Sequence, residues 1–339
     1  VRAGATLGEG YHHRRGGPHA EIEALRAAAV RGADVRGATA YVSLEPCDHH
    51  GTTGPCSLAL IEAGIGRVVI GALDPNTLAA GGIARLRDAG ITVELVDDPA
   101  ARALIERFSY SLTASLPFVT VKMAMSLDGA IAPRPGGAYA VTGPPARERV
   151  RDLRYEYDAV MVGAGTIRID DAQLTVRPHR TRRKPYVRVV ACETDTVPAG
   201  SRVFLPPDTA PPGAYAPTVV LAPAGIRERF AALEAIADVV PVGDPHATAL
   251  DLRAALRALH ARGIGTVLCE GGPTLAGRLL EAQLVERIVW FVAPRFLQTP
   301  QAVPVLAGAD LTRAADGWRF DQVERVGEDM LVSARVGHV

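Results

Sequence analysis

The sequence predicts an α/β protein built from two successive domains, and three observations carry that prediction. At 339 residues the chain exceeds what one hydrophobic core ordinarily organises. Short apolar runs alternate with helical patterns over the first 112 residues, as in a sheet covered by helices. After Pro117 a new pattern begins with the strand-like run Phe118-Val119-Thr120-Val121-Lys122. The expected domains are residues 1–112 and 116–339.

In the first domain, residues 39–44, 68–72 and 92–96 read as strands, and 19–30, 56–64 and 81–89 as helices. His19 and Glu21 open the first helix and Cys56 the second. The partial positive charge of a helix N-terminus favours thiolate over thiol there. Residues 100–115 form a linking helix and connection. In the second domain the opening strand runs on into Met123-Ala124-Met125-Ser126-Leu127-Asp128-Gly129, and 147–154 leads into the strand Ala159-Val160-Met161-Val162-Gly163. Residues 224–235 and 250–261 have the apolar spacing of core-facing helices. Val267-Leu268-Cys269 is a strand, Glu270-Gly271-Gly272 a turn and Pro273-Thr274-Leu275 a helix start. Paired glycines there let backbone amides approach a pyrophosphate, whose charge suits a helix N-terminus. The Gly-x-Gly-x-x-Gly dinucleotide fingerprint follows none of the strands.

Three stretches read as surface. The run Arg180-Thr181-Arg182-Arg183-Lys184 is a solvated basic loop, and Pro206-Pro207 with Pro211-Pro212 marks an exposed loop. Lys122, one of only two lysines, reads as a surface charge after its strand.

Composition narrows the class of function. Lysine plus arginine and aspartate plus glutamate both total 37, so no charge excess suits nucleic acid or an anionic membrane. A small-molecule substrate is the expected partner. Four cysteines do not build a disulfide scaffold over this length, and two needed as thiolates imply a reducing, cytoplasmic setting. No apolar run reaches the ~18 residues of a membrane span, and the start lacks a signal-peptide pattern.

The chemistry concentrates in His19-Ala20-Glu21, Pro46-Cys47 and Cys56. One imidazole and two thiolates hold a tetrahedral zinc with its fourth position open, the arrangement of a catalytic site. Glu21 then stands beside the metal as a proton carrier and not as a ligand, the set used by zinc deaminases of nucleobases. Such sites commonly end Pro-Cys-x-x-Cys; here eight residues, Asp48-His49-His50-Gly51-Thr52-Thr53-Gly54-Pro55, separate the cysteines.

That spacing resembles the bifunctional deaminase-reductase of riboflavin biosynthesis. Gly10-Tyr11-His12, Gly17-Pro18-His19-Ala20-Glu21, Asp74-Pro75-Asn76 and Ala80-Gly81 continue the likeness in the first half. In the second it comes in islands: 117–129, 147–154, Gly165-Thr166, Asp170-Asp171, Leu174-Thr175-Val176-Arg177 and 267–275. The resemblance implies a cytidine-deaminase-like domain followed by a dihydrofolate-reductase-like domain. It implies zinc-dependent removal of the pyrimidine amine of 2,5-diamino-6-ribosylamino-4-pyrimidinone 5'-phosphate, then NADPH-dependent reduction of the ribosyl to the ribityl chain. It also implies a homo-oligomer. Carried over residue by residue, His12, Asp74 and Asn76 contact the pyrimidine, while Arg154, Leu174, Arg177 and Glu270 contact the reductase substrate. Ala124, Thr166, Asp170, Gly271, Gly272, Pro273 and Thr274 contact NADPH.

The sequence departs from this family at several points. Val1 to Gly8 resembles the far side of a hairpin, and the family's opening helix and strand, with an Asn-Pro-x-Val-Gly motif whose asparagine helps hold the pyrimidine, are expected to be missing before it. Ser-x-Trp-Ile-Thr is replaced by Ala138-Tyr139-Ala140-Val141-Thr142, an aspartate by Cys192, two glycines by Gln298 and Thr299, and a Lys or Arg by Thr52. These changes keep open a deaminase whose reductase half is weak or altered in substrate. The residues alone also admit a zinc-stabilised binding module without turnover, which Glu21 argues against.

Overall fold

The computed structural model describes residues 1–339 apart from 14–15, 51–53, 177–181, 183, 195, 207–209, 298, 315 and 338–339. The chain divides into two compact units, Val1–Thr113 and Ala114–Val339.

In the first unit α1 (Ala20–Val30), β1 (Thr39–Val42), α2 (Cys56–Glu62), β2 (Arg67–Ile70), α3 (Gly82–Asp88) and β3 (Thr92–Leu95) alternate, and α4 (Pro99–Ala114) follows. The three strands form one parallel sheet in the order β1-β2-β3, with Thr39 opposite Arg67 and Arg67 opposite Thr92. Ala38, Leu60, Ile65, Val68, Ile70, Leu86 and Ile91 make its core. Because the strands are parallel, the loops after β1 and β2 leave the same edge of the sheet, the usual place for a site in such a fold. Gly82 lets α3 settle against the first of these loops: a Cβ there would lie 1.8 Å from the Pro46 carbonyl oxygen.

The second unit contains β4 (Phe118–Ser126), β5 (Ala130–Ala132), α5 (Pro144–Tyr155), β6 (Ala159–Gly163), α6 (Ala164–Asp170), β7 (Val187–Ala191), β8 (Val219–Pro223) and β9 (Asp238–Val242). Then come α7 (Leu252–Ala261), β10 (Thr266–Cys269), α8 (Pro273–Glu281), β11 (Arg287–Ala293), β12 (Val303–Pro304), β13 (Trp318–Val326) and β14 (Asp329–Val336). Nine strands form one sheet in the order β13-β14-β11-β4-β10-β6-β7-β8-β9. From β11 to β9 the pairing is parallel, and β14 and β13 add an antiparallel edge. β5 and β12 pair separately.

Two apolar clusters hold this sheet. Val150, Leu153 and Tyr157 from α5 and its end pack on Leu268, Val289, Phe291 and Leu331. Val160, Val162, Ile167, Val190, Val220, Phe230 and Leu233 form the other. Central strands buried on both faces read as plain apolar runs, with no alternation to expose them in the sequence.

Residues 224–235 differ from the expected α-helix. They form 3₁₀ turns over Ala224–Leu233, broken at Ile226 (φ −127°, ψ 21°). The chain is crowded at this point, since the Gly225 N–H donates to the Ala247 carbonyl and a Cβ on Gly225 would come within 2.6 Å of that oxygen. An α-helix does form at the second expected place, α7, where the Asp251 carboxylate accepts the Ala254 N–H at 2.9 Å as its cap. Among the described residues no helix is long and apolar enough to cross a membrane.

Candidate functional site

His19 is the N-cap of α1, with extended backbone and no capping bond from its side chain, so the imidazole is free to turn inward. Cys47 lies on the loop after β1, and Cys56 is the first residue of α2. The three meet. His19 Nδ1 lies 3.4 Å from Cys47 Sγ and 3.3 Å from Cys56 Sγ, and all three donor atoms fall within 4.8 Å of one another. Tetrahedral zinc with N and S ligands requires donor separations of roughly 3.5 Å, so this donor set fits the ion.

The start of α2 helps hold the loop. Its first N–H, that of Cys56, donates to Cys47 Sγ at 3.4 Å, and the Ser57 N–H donates to the Cys47 carbonyl at 3.2 Å. The Cys56 thiol donating to Cys47 pulls Cys47 down to about 5 and keeps the shared proton on Cys56. Both cysteines are buried. Burial also pushes the half-buried Glu21 carboxyl above its ordinary range, and the Cys47 charge adds to the shift.

The polar residues expected around the pyrimidine are arranged along the same edge. His12 is exposed, its ring edge-on to His19 at 5.3 Å and its Nδ1 paired with the Pro18 carbonyl at 2.9 Å. Asp74 accepts the Asn76 N–H at 2.8 Å, and the Asn76 side chain accepts the Leu78 N–H at 3.2 Å. Both side chains thus shape a turn in the loop after β2. Thr52 lies outside the described residues.

In the second unit Arg154, near the end of α5, and Glu270, just after β10, form a half-buried bidentate pair, with Nη2 2.8 Å from Oε2. Arg154 Nη1 also donates to the Thr175 carbonyl at 2.9 Å. Burial opposes the Glu270 charge, yet Arg154 holds the carboxyl below its ordinary range. Leu174 is buried with φ +52°, an uncommon conformation for a residue with a branched side chain. Arg177 and Gln298 lie outside the described residues.

Lys122 is not the surface charge expected of it. It is half-buried on β4, 5.9 Å above the Phe291 ring, and burial lowers its pKa against the pull of Glu270. β4 is a central strand, so even its polar side chains face packed elements. Arg182 likewise departs from the solvated loop expected: it donates to the Tyr157 carbonyl at 2.7 Å and stacks over Tyr155 and Tyr186. Residues 180, 181 and 183 of that run lie outside the described residues.

Around the glycine turn, Gly271 has φ +95° and joins Gly272 through a cis peptide. The Gly271 carbonyl accepts the Gly163 N–H at 2.9 Å, tying the ends of β10 and β6 together. Gly272 is the N-cap of α8, Pro273 its first residue and Thr274 its exposed second. A Cβ at Gly272 would come within 3.3 Å of Thr166 Oγ1, and one at Gly271 within 3.1 Å of Met123 Sδ. A side chain at either position would be tight, and the positive φ of Gly271 favours glycine there. Ala124 lies next to Met123 on β4, and Asp170 is the exposed last residue of α6.

One residue at the metal end went unread in the sequence. Glu45, two residues before Cys47, is a buried carboxylate whose bonds among the described residues run to backbone amides.

Comparison with known proteins gives consistent matches for both halves. Residues 1–72 match the cytidine and deoxycytidylate deaminase zinc-binding region, and residues 117–332 match the RibD C-terminal domain. The riboflavin biosynthesis protein RibD of Escherichia coli is 35% identical over 347 residues, covering 97% of this chain and 90% of its own. That of Aquifex aeolicus is 35% identical over 334 residues, covering 98% and 89%. Among solved structures, Acinetobacter baumannii RibD has a TM-score of 0.80 at 31% identity, covering 100% of this chain and 91% of the other. A Thermotoga maritima protein described as a diaminohydroxyphosphoribosylaminopyrimidine deaminase / 5-amino-6-(5-phosphoribosylamino)uracil reductase has a TM-score of 0.78 at 32% identity, covering 99% and 90%.

Proposed function

The chain belongs to the RibD family of riboflavin biosynthesis, a zinc deaminase domain followed by a reductase domain, and from this we propose how its own residues divide the two reactions. The first unit hydrolytically deaminates 2,5-diamino-6-ribosylamino-4-pyrimidinone 5'-phosphate, and the second reduces the ribosyl chain of the product to ribityl with NADPH. The observation that carries this reading is the convergence of one imidazole and two thiol donors beside a carboxyl that is not among them.

His19, Cys47 and Cys56 hold zinc, which when bound supplies the Lewis acidity that makes water nucleophilic near neutral pH. Glu21 takes one proton from the attacking water and gives it to the ring nitrogen, then carries a second, from the hydroxyl now on the ring carbon, to the amine, which leaves as ammonia while the carbonyl forms. A carboxyl raised by burial is suited to both tasks, since it binds and releases a proton nearer neutrality than an exposed glutamate does. His12, Asp74 and Asn76 orient the pyrimidine from the loops beside the donors.

In the second unit the Gly271-Gly272 cradle, with Thr166, Ala124, Asp170, Pro273 and Thr274, holds NADPH, which when bound supplies the hydride. Arg154, Leu174, Arg177 and Glu270 orient the phosphorylated ribosyl substrate. Arginine suits the phosphate because its planar donors match two oxygens at once, a task that falls to Arg177, since Arg154 already gives its fork to Glu270. Four free cysteines suit a reducing compartment, which we take to be the cytoplasm, and we take the enzyme to be a homo-oligomer as the family resemblance implies.

Metal removal tests the division directly. Stripped of zinc, the enzyme is expected to stop releasing ammonia from the diaminopyrimidine and to recover on adding zinc back. NADPH oxidation with pre-deaminated substrate is expected to continue throughout. Deamination that persists without metal would contradict the assignment.

A further inference from the structure

Glu45 is only 6% exposed, and its neighbours in sequence, Leu44 and Pro46, offer its carboxylate nothing to bind. The partners come from elsewhere. Oε1 accepts the N–H of Gly81 at 3.2 Å and of Ile83 at 3.1 Å, and Oε2 accepts the N–H of Asp74 at 3.4 Å. One side chain thereby joins three segments: the loop bearing Cys47, the loop bearing Asp74 and Asn76, and the first turn of α3.

The backbone around it repeats the connection. Glu45 N–H donates to the Ala72 carbonyl at 2.8 Å and Asp48 N–H to the Ala79 carbonyl at 2.9 Å, so Cys47 sits between two ties to the neighbouring loop. The N-cap of α3 is Gly81, with φ +112° and no side chain to cap the helix, and Glu45 supplies the missing acceptor. A buried carboxylate is tolerated only when its oxygens are hydrogen-bonded, and here backbone donors meet both of them.

We infer that Glu45 is a positioning residue of the deaminase half, fixing the Cys47 loop against the Asp74–Asn76 loop without touching metal or substrate. It acts through Cys47 on metal retention and through Asp74 and Asn76 on substrate affinity. The inference rests on the deaminase reading, but two of its tests do not need the substrate.

The test compares the full chain with Glu45→Ala and Glu45→Gln. In Glu45→Ala, zinc affinity measured against a chelating indicator is expected to fall about tenfold to hundredfold, the usual effect of losing a group that orients a metal ligand. Amide exchange at Asp74, Gly81 and Ile83 is expected to quicken even in metal-free protein. KM for the pyrimidine is expected to rise more than kcat falls, while NADPH-dependent reduction of pre-deaminated substrate stays at the parent rate. Glu45→Gln keeps one acceptor oxygen, so exchange is expected to quicken on one side only, at Asp74 or at the Gly81–Ile83 pair. Parent-like zinc affinity and KM in Glu45→Ala would overturn the inference. So would a parallel loss of both activities in Glu45→Gln, which would mark a general stability role; that variant also decides the matter if Glu45→Ala does not fold. If the parent itself fails to deaminate, the proposed reaction falls, while zinc affinity and amide exchange still judge Glu45.

Discussion

At Glu21 burial lifts the carboxyl above its ordinary range, and the proton-carrying role proposed for it is tested by removing its titration. Glu21→Gln keeps the shape and removes the titration, so it is expected to retain about one zinc per chain while deamination slows by ~10²- to 10⁴-fold. Cys56→Ser is expected to lose metal and deamination together, as read by metal analysis and ammonia release. Retention of zinc by Cys56→Ser would remove Cys56 from the ligand set. In the second unit Arg154→Gln leaves Glu270 buried without its charge partner, a change expected to cost about 3–5 kcal/mol near neutral pH. Arg154 depresses the Glu270 pKa, so the pair's stabilisation is present above the ordinary glutamate value of about 4.3 and is lost as pH falls through the lower folded value. The stability gap between parent and variant should therefore narrow on acidification, and a gap that widened would contradict the pairing. His19, Cys47 and Cys56 were legible in the sequence because ligand chemistry and spacing both constrain them. Glu45 was not, because an acid between a leucine and a proline looks like any surface carboxylate until Asp74, Gly81 and Ile83 are folded against it.

Among the elements, α3 owes its position to Gly82, where an added methyl group would collide with the Pro46 carbonyl beside Cys47. Gly82→Ala is expected to destabilise the first unit by on the order of 1–3 kcal/mol and to weaken deamination while leaving reduction intact. Thermal unfolding with both activity assays measures this; an unchanged deaminase would show that the loop and helix can part without consequence. The segment 138–142 bears on the other half. Ala138 and Ala140 are exposed and bring neither the hydroxyl nor the aromatic ring that the family resemblance leads one to expect, while Val141 and Thr142 are buried. With Gly271 and Gly272 as the proposed cofactor turn, NADPH is expected to bind, with hydride transfer slowed. A displacement of about 1 Å in a reacting group can cost ~10²-fold in rate. Single-turnover hydride transfer at saturating NADPH reads this, and family-typical fast reduction would show that other side chains do the positioning. Periodicity placed α1, α2, α3 and α7 close to where they form, because each shows one apolar stripe or a marked start. It misread residues 224–235, where the apolar spacing was right but the close approach of Ala247 to Gly225 tightens the chain into 3₁₀ turns.

For the molecule as a whole, the alternation of strands and helices and the fresh start after Pro117 made the α/β class legible, but not the nine-stranded sheet. Its antiparallel edge, β13 and β14, pairs through Trp318 to Val336, residues whose mixed polar pattern carries no strong strand signal on its own. Lys122 and Arg182 took on their partners only once that sheet and its covering segments were assembled. By the proposed function, one chain performs two consecutive reactions on one phosphoribosyl-pyrimidine, a metal-dependent deamination and an NADPH-dependent reduction. Product identification by mass after incubating zinc-loaded enzyme with the diaminopyrimidine phosphate tests it most directly. Without NADPH the account predicts a single product in which oxygen has replaced one amine; with NADPH it predicts slow further conversion to a species carrying two more hydrogens. Reduction of the substrate with its amine still in place, or recovery of unchanged substrate under both conditions, would contradict it.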